Sequence, residues 1–291
     1  MDLAIGLPNT IPGVRGDQLI EFARRAEERA FSSLGTLDRL IYPGLEPLVS
    51  LAVAAAATER IGLTSTVVLA PYRLNGALLA KEAASVHVVS DGRLTLGLGL
   101  GWREEDYEAS GAEWSERGPK LDEMIEEIKR AWSGHEYGIA GGIGPDVSSD
   151  PPKLLLGGRV DASYRRAARH GIGWILGGGT PEWLAEGKAK VEEEWQKAGR
   201  EGEPYIGALA YFSLGERAEA DAREYLGPYY AARGEEFAEM VIGSAATDEE
   251  TVRGYMEAFD QAGCDELFLF PCSADPEQVD LVAAAGLRVA G

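Results

Sequence analysis

Short runs of apolar and β-branched residues alternate along the chain with longer stretches in which apolar positions recur every three or four residues. The first pattern is that of buried strands and the second that of helices packed on one face. Strands are expected at 3–7, 33–37, 60–69, 94–98, 153–156, 173–176, 205–213 and 266–270. Helices are expected between them, at about 17–29, 46–58, 75–89, 116–132, 161–170, from Thr180 onward, 217–233, 248–262 and 276–285. Turn chemistry supports the boundaries: Ser90-Asp91-Gly92 ends one helix, Asp161 is placed to cap another, and Thr180-Pro181-Glu182 combines a cap, a first-turn proline and a dipole-favoured carboxylate.

Eight strands alternating with helices predict a closed (β/α)8 TIM barrel, with an open doubly wound sheet as the competing arrangement. The one long stretch without periodicity, 134–152, is rich in glycine, serine and proline and reads as an insertion on the barrel rim, because the alternation resumes unchanged after it. One domain is therefore assigned to 1–291. No repeat beyond the βα unit is visible.

Charge and composition narrow the function. Lys plus Arg number 28 against 48 Asp plus Glu, a formal net charge of −20, so nucleic acid and anionic membrane surfaces are poor partners. The longest apolar runs, such as 51–57, are far short of the roughly 20 residues that cross a bilayer, and Met1-Asp2-Leu3 lacks the basic region of a signal peptide. A cytoplasmic protein acting on a small molecule is expected. Cys264 and Cys272, separated along a strand by roughly 27 Å, read as reduced core thiols. His87, His135 and His170 stand apart from any second ligand, so no metal site is expected.

In a barrel of this kind, chemistry belongs at the C-terminal ends of the strands. Three glycine clusters fall there: Gly97-Leu98-Gly99-Leu100-Gly101-Trp102, Gly157-Gly158-Arg159 and Gly177-Gly178-Gly179. The first does not fit GxGxxG, since the third glycine from Gly97 comes one position early and Glu104 holds the place required from Gly99. The other two precede helices, where exposed amides and the helix dipole favour a phosphate, and Arg159 adds a charge-assisted contact.

The run Arg60-Ile61-Gly62-Leu63-Thr64-Ser65-Thr66-Val67-Val68-Leu69-Ala70-Pro71-Tyr72-Arg73, then Lys81, Ser90-Asp91-Gly92-Arg93-Leu94 and the glycine-leucine run to Trp102, resembles the central block of the bacterial luciferase-like superfamily. Glu116-Arg117-Gly118, Ala131-Trp132, Gly157-Gly158, Arg165-Arg166-Ala167-Ala168-Arg169 and Gly173-Trp174 resemble its later blocks in the same order. The resemblance spans most of residues 1–180. It implies an oxidoreductase that binds FMN or the deazaflavin coenzyme F-420 at the C-terminal rim, and either inserts oxygen or passes hydride to or from a small substrate.

It also implies site roles: a cis peptide at Thr66–Val67 backing the ring, Leu100 and Gly101 lining it through their backbones, Gly157 and Gly158 taking the phosphate, and Asp38 as a catalytic acidic residue beside the ring. Homodimers are common in the family, so a homodimer is implied. Asp38-Arg39 reads alternatively as a rim ion pair. Two departures stand out: deazaflavin sugar-phosphate dehydrogenases often carry His where this chain has Arg39, and an acid where it has Trp102.

Tyr72 and Trp102 are candidates for shaping the substrate pocket, whereas Trp174 reads as core. Arg39, Arg73 and Arg103 are rim cations that could meet an anionic group. Two other readings remain at this point: a cofactor-free lyase or isomerase of a phosphorylated metabolite, and a non-catalytic flavin-binding barrel. The first lacks a lysine at the catalytic end of any strand, Lys153 lying at the opposite end. No GxSxG is present to support a serine hydrolase.

Overall fold

Strand pairing closes the sheet on itself. The computed structural model of the chain describes residues 1–286, so the last five residues of the expected domain, 287–291, lie outside the described residues. Its strands are β1 (Asp2–Gly6), β2 (Ser33–Thr36), β3 (Gly62–Ser65), β4 (Val68–Leu69), β5 (Leu94–Gly99), β6 (Lys153–Gly157), β7 (Gly173–Leu176), β8 (Tyr205–Phe212) and β9 (Glu266–Pro271). They pair in the order β3-β2-β1-β9-β8-β7-β6-β5-β4, all parallel, and a β3–β5 pairing completes the cylinder. The segment expected as one strand over 60–69 is two pieces, β3 and β4, both paired to β5 and separated by a cis Thr66–Val67 peptide. Counting these as one stave gives the eight of a (β/α)8 barrel.

The helices are α1 (Gly16–Glu28), α2 (Pro47–Ala57), α3 (Gly76–Val89), α4 (Glu104–Ser110), α5 (Arg117–Trp132), α6 (Asp161–His170), α7 (Pro181–Lys197), α8 (Ala218–Tyr230), α9 (Glu235–Gly243), α10 (Glu249–Gln261) and α11 (Glu277–Gly286). Caps form where the chain offers an acceptor: Glu46, Asn75, Thr180 and Asp248 each take a backbone N–H from the first turn of the helix that follows. Asp161 does not cap α6. Val160 occupies the cap position without a side-chain bond, and Asp161 lies in the first turn, where the dipole still favours its charge.

Each strand is buried on both faces, and the two faces feed separate cores. One set, including Leu3, Ile5, Leu34, Leu63, Leu96, Leu156 and Leu267, packs outward against the helices. The alternate set, including Ala4, Leu155, Ile175, Leu209, Phe268 and Phe270, fills the cylinder. Interior space is shared by pairing small against large. A Cβ on Gly6 would lie 2.1 Å from the Phe270 ring and one on Gly35 2.8 Å from Phe268, so only hydrogen fits opposite these rings. Cys264 and Cys272 are buried free thiols, and burial pushes the Cys264 thiol up to about 12.

Two connections differ in place from expectation. Residues 134–152 are a loop, but they lead into the start of β6, where Lys153 pairs beside Thr95 near the start of β5. The loop packs along α3, with Lys81 Nζ donating to the Gly144 carbonyl at 3.0 Å and His87 Nε2 lying 3.0 Å from the Asp150 carbonyl. It therefore edges the N-terminal rim, away from the strand ends where chemistry is expected. The insertion at the C-terminal rim is instead the α8–α9 hairpin, in a region read from sequence as one helix over 217–233. The chain leaves β8, forms the hairpin, and returns to pair Ala246 beside Phe212. No helix among the described residues is long and apolar enough to cross a membrane.

Glu27, near the end of α1, fastens the turn before β3: its carboxylate accepts from the backbone N–H groups of Glu59, Arg60 and Ile61. Burial alone raises its pKa, but the three N–H donors outweigh that and leave it below the ordinary value. A carboxylate depressed in the folded state contributes stability above its unfolded pKa and loses it as pH falls through the folded one. Glu27→Gln is expected to lower unfolding free energy at neutral pH by about 1–3 kcal/mol and to flatten the acid side of the stability profile. Denaturant titrations of the two proteins at pH 7 and pH 3 check both effects; parallel profiles would contradict the assignment.

Candidate active site

At the C-terminal mouth, loops after β2, β4 and β5 are joined by paired charges, and tyrosine rings at the end of α8 lie against them. Asp38, just past β2, is 6 % exposed. Its Oδ1 accepts the Tyr72 hydroxyl at 2.5 Å, and its Oδ2 accepts the Leu69 backbone N–H at 2.9 Å and Arg73 Nη2 at 3.1 Å. Arg73 also donates to Glu46 at 2.8 Å. Burial first, and then the Asp38 charge, hold the Tyr72 phenol well above its ordinary range, so it stays a neutral donor. Asp38 thus pairs with Arg73, across the barrel seam, and not with its neighbour Arg39. Arg39 grips Asp106 of α4 through Nε and Nη2 at 3.1 and 3.4 Å, while Asp106 also accepts the Ile41 N–H at 2.8 Å.

Trp102 stacks parallel to Tyr230 of α8, with centroids 6.2 Å apart and planes 8° from parallel. Guanidinium carbons of Arg103, Arg233 and Arg39 lie 4.6, 5.1 and 5.8 Å from its centroid. Arg103 and Arg39 also lie 5.5 and 5.6 Å from Tyr229. The hairpin is anchored from below by a Tyr211–Tyr230 hydroxyl contact at 2.9 Å and a Thr10–Tyr225 contact at 2.6 Å.

The floor of the mouth is made of glycine and one valine. The Val67 side chain lies over Gly97, Gly99 and Gly157: Cβ atoms there would come within 3.1, 2.5 and 3.3 Å of it. At Gly101, φ is +71° and a Cβ would meet Leu69 Cδ1 at 2.7 Å. The Leu100 carbonyl accepts the Tyr107 hydroxyl at 2.5 Å. Beside this floor, the turns after the neighbouring strands β6 and β7 lie together. Gly158 has φ +123° and no room for a Cβ beside Ser163 Oγ, at 2.4 Å; Gly178 has φ +96°, whereas Gly177 carries no such constraint. Arg159 lies 3.7 Å over the Trp183 ring of α7, bridging the two turns at the surface. Trp174 is fully buried and donates to the Gly158 carbonyl at 2.7 Å, a core residue that braces the turn from behind.

The residues singled out from sequence thus gather at one rim in two groups. Asp38, Arg39, Tyr72 and Trp102 stand on the ionic-aromatic side; Gly157, Gly158, Arg159, Gly177 and Gly178 form the glycine turns, with Thr66, Val67, Leu100 and Gly101 between. Sequence reasoning missed α4 with Asp106, and missed Tyr229, Tyr230 and Arg233. The adjacent tyrosines after Pro228, within a stretch following a barrel strand, were the available signal. A flat ring with a phosphate-bearing tail fits this arrangement, since the floor carries no side chain but that of Val67, the turn at Gly158 has no room for one, and several buried donors at the mouth, among them Arg39 Nη1, Arg73 Nε and Thr36 Oγ1, have no partner among the described residues.

The family model for luciferase-like monooxygenases matches residues 3–285. An uncharacterized protein of Mycobacterium tuberculosis is 30 % identical over 210 residues, 62 % of this chain and 72 % of the relative. The chain is also similar to an F-420-dependent glucose-6-phosphate dehydrogenase of Kribbella flavida, 30 % identical over 220 residues, 69 % of this chain and 65 % of the relative. Among solved structures, an F-420-dependent secondary alcohol dehydrogenase superposes with a TM-score of 0.80 at 19 % identity, and the FMN-bound oxygenating component of 3,6-diketocamphane monooxygenase from Pseudomonas putida with 0.78 at 16 %. Each covers 98 % or more of this chain and 98 % of its own, which shows a shared fold.

Removing Asp38 strands a buried guanidinium. Asp38→Ala is expected to cost about 3 kcal/mol, the lower end for a buried pair that loses one partner, because Glu46 still holds Arg73. Tyr72→Phe deletes one hydrogen bond and is expected to cost about 1 kcal/mol. Urea unfolding of the three proteins checks the order; equal losses would mean that the Arg73 pairing carries no weight.

Proposed function

Because this chain belongs to the luciferase-like monooxygenase family, we propose that it is an oxidoreductase that uses coenzyme F-420 to transfer hydride to or from a small organic substrate. The observation that carries this reading is the glycine floor that carries the single side chain of Val67, beside the paired glycine turns at Gly158 and Gly178. The choice of F-420 over FMN draws support from the 30 % identity to the F-420-dependent dehydrogenases of Kribbella flavida and Amycolatopsis mediterranei.

In this reading the backbone at Gly157, Gly158, Gly177 and Gly178 holds the phosphate at the start of α6 and α7, with Arg159 alongside. Val67, Leu100 and Gly101 seat the ring. The bound deazaflavin supplies or accepts the hydride, and the protein contributes position and dryness. Tyr72 keeps its proton on the hydrogen bond to Asp38 Oδ1, so Asp38 and Tyr72 present a fixed polar edge at the mouth. Trp102, Tyr229 and Tyr230 shield it from water. A sugar phosphate is not the proposed substrate, because Arg39 and Trp102 stand where deazaflavin sugar-phosphate dehydrogenases often carry His and an acid.

Titration with F-420 is expected to raise the melting temperature. At about 100 times Kd the stabilisation is ~2.7 kcal/mol, a rise of roughly 4 °C for a chain of this size. Gly158→Val should weaken that rise, because its side chain would meet Ser163. A rise with FMN alone would reassign the cofactor, and none with either would end the proposal.

A further inference from the structure

Arginines in this chain grip carboxylates side-on through Nε and Nη2: Arg15 holds Asp17, Arg39 holds Asp106 and Arg166 holds Asp122 in this way. Arg103 holds the same planar edge at the barrel mouth, with its side chain 7 % exposed, yet both Nε and Nη2 are buried without any acceptor among the described residues. Its ionic neighbour is Glu105, 3.9 Å away through Nη1 and itself 41 % exposed. The deeper carboxylates nearby are committed, Asp106 to Arg39 and Asp38 to Arg73.

Arg39 Nη1 is likewise buried and has no partner among the described residues. Arg39 and Arg103 flank the same two rings, Trp102 and Tyr229. Two guanidinium groups with free donors, from loops after different strands, therefore converge on one aromatic-walled place, in a chain whose net charge is −20. A buried cation that lacks an acceptor is costly to maintain, and an incoming anion removes that cost.

We propose that this place is the substrate's anchoring site, and that the substrate bears a carboxylate on a planar apolar body. The carboxylate takes the Nε and Nη2 edge of Arg103, with Arg39 Nη1 as the additional donor, while the body lies against Trp102 and Tyr229. The word substrate rests on the oxidoreductase reading above. The anchoring site itself follows strands β2 and β5, whereas the glycine turns assigned to the cofactor phosphate follow β6 and β7.

The test is calorimetric titration of the cofactor-free protein with benzoate, with its neutral isostere benzamide, and with inorganic phosphate. Benzoate is expected to bind at least tenfold more tightly than benzamide and more tightly than phosphate. Arg103→Gln should weaken benzoate at least tenfold, and Arg103→Lys should also weaken it, because an ammonium cannot present two coplanar donors. The melting temperature of Arg103→Gln should not fall, since the substitution removes a buried charge whose ionic neighbour, Glu105, is 3.9 Å away and largely solvated; an arginine that merely supports the fold would show the opposite. Equal binding of benzoate and benzamide, or benzoate affinity indifferent to Arg103→Gln, would overturn the proposal. Phosphate binding more tightly than benzoate would overturn it too, by giving that edge to a phosphoryl group. As the titration contains no cofactor, its failure and a failure of F-420 to bind are separate results.

Discussion

Charge buried at the mouth of a barrel must find its counter-charge there, and the C-terminal rim of this protein is organised by that requirement. Asp38 ties the loop after β2 to the turn after β4, and Asp106 ties the same β2 loop to α4 after β5. These are connections that strand pairing does not make, because strand hydrogen bonds end below the rim. The loops hold their places because separating them would leave a guanidinium or a carboxylate without its partner in a poorly solvated site. The Tyr229 ring of α8 lies against Arg39 of the second pair, which makes the constraint stricter there.

The ionic side and the glycine side of the mouth are built on opposite principles. Around Asp38 and Arg39, long side chains are fixed by one another. Around Val67 and Gly158, glycines leave room for the single Val67 side chain, and little but backbone forms the rest of the surface. A barrel can carry both because its interior below is filled independently, by Phe268 and Phe270 set against Gly6 and Gly35. Packing in the cylinder supplies rigidity, and the rim is free to vary in chemistry.

Much of this was legible in the sequence for physical reasons. Parallel strands buried on both faces read as apolar runs, and amphipathic helices as periodic ones, so the order of elements followed from pattern alone. The glycine turns were visible because few other residues suit their backbone. Partners were less visible. Asp38 stands next to Arg39 in the chain yet pairs with Arg73, since adjacent rim residues point apart and the fold brings a turn 35 positions away against it. Arg39's own partner lies in α4, whose seven residues are too few to show a clear period. The 134–152 loop was recognised as a loop, but composition does not say which end of the barrel a connection serves; that depends on its leading into a strand instead of out of one.

The α8–α9 hairpin departs from the end of β8 and comes back beside the residue it left, with Ala246 paired to Phe212. Entry and exit share one spot, so the excursion can lengthen, shorten or be exchanged without altering the register of any stave. The part of the molecule that walls the ionic side of the mouth is therefore the part the scaffold constrains least, a route by which related barrels could acquire different molecules to act upon while keeping the same floor.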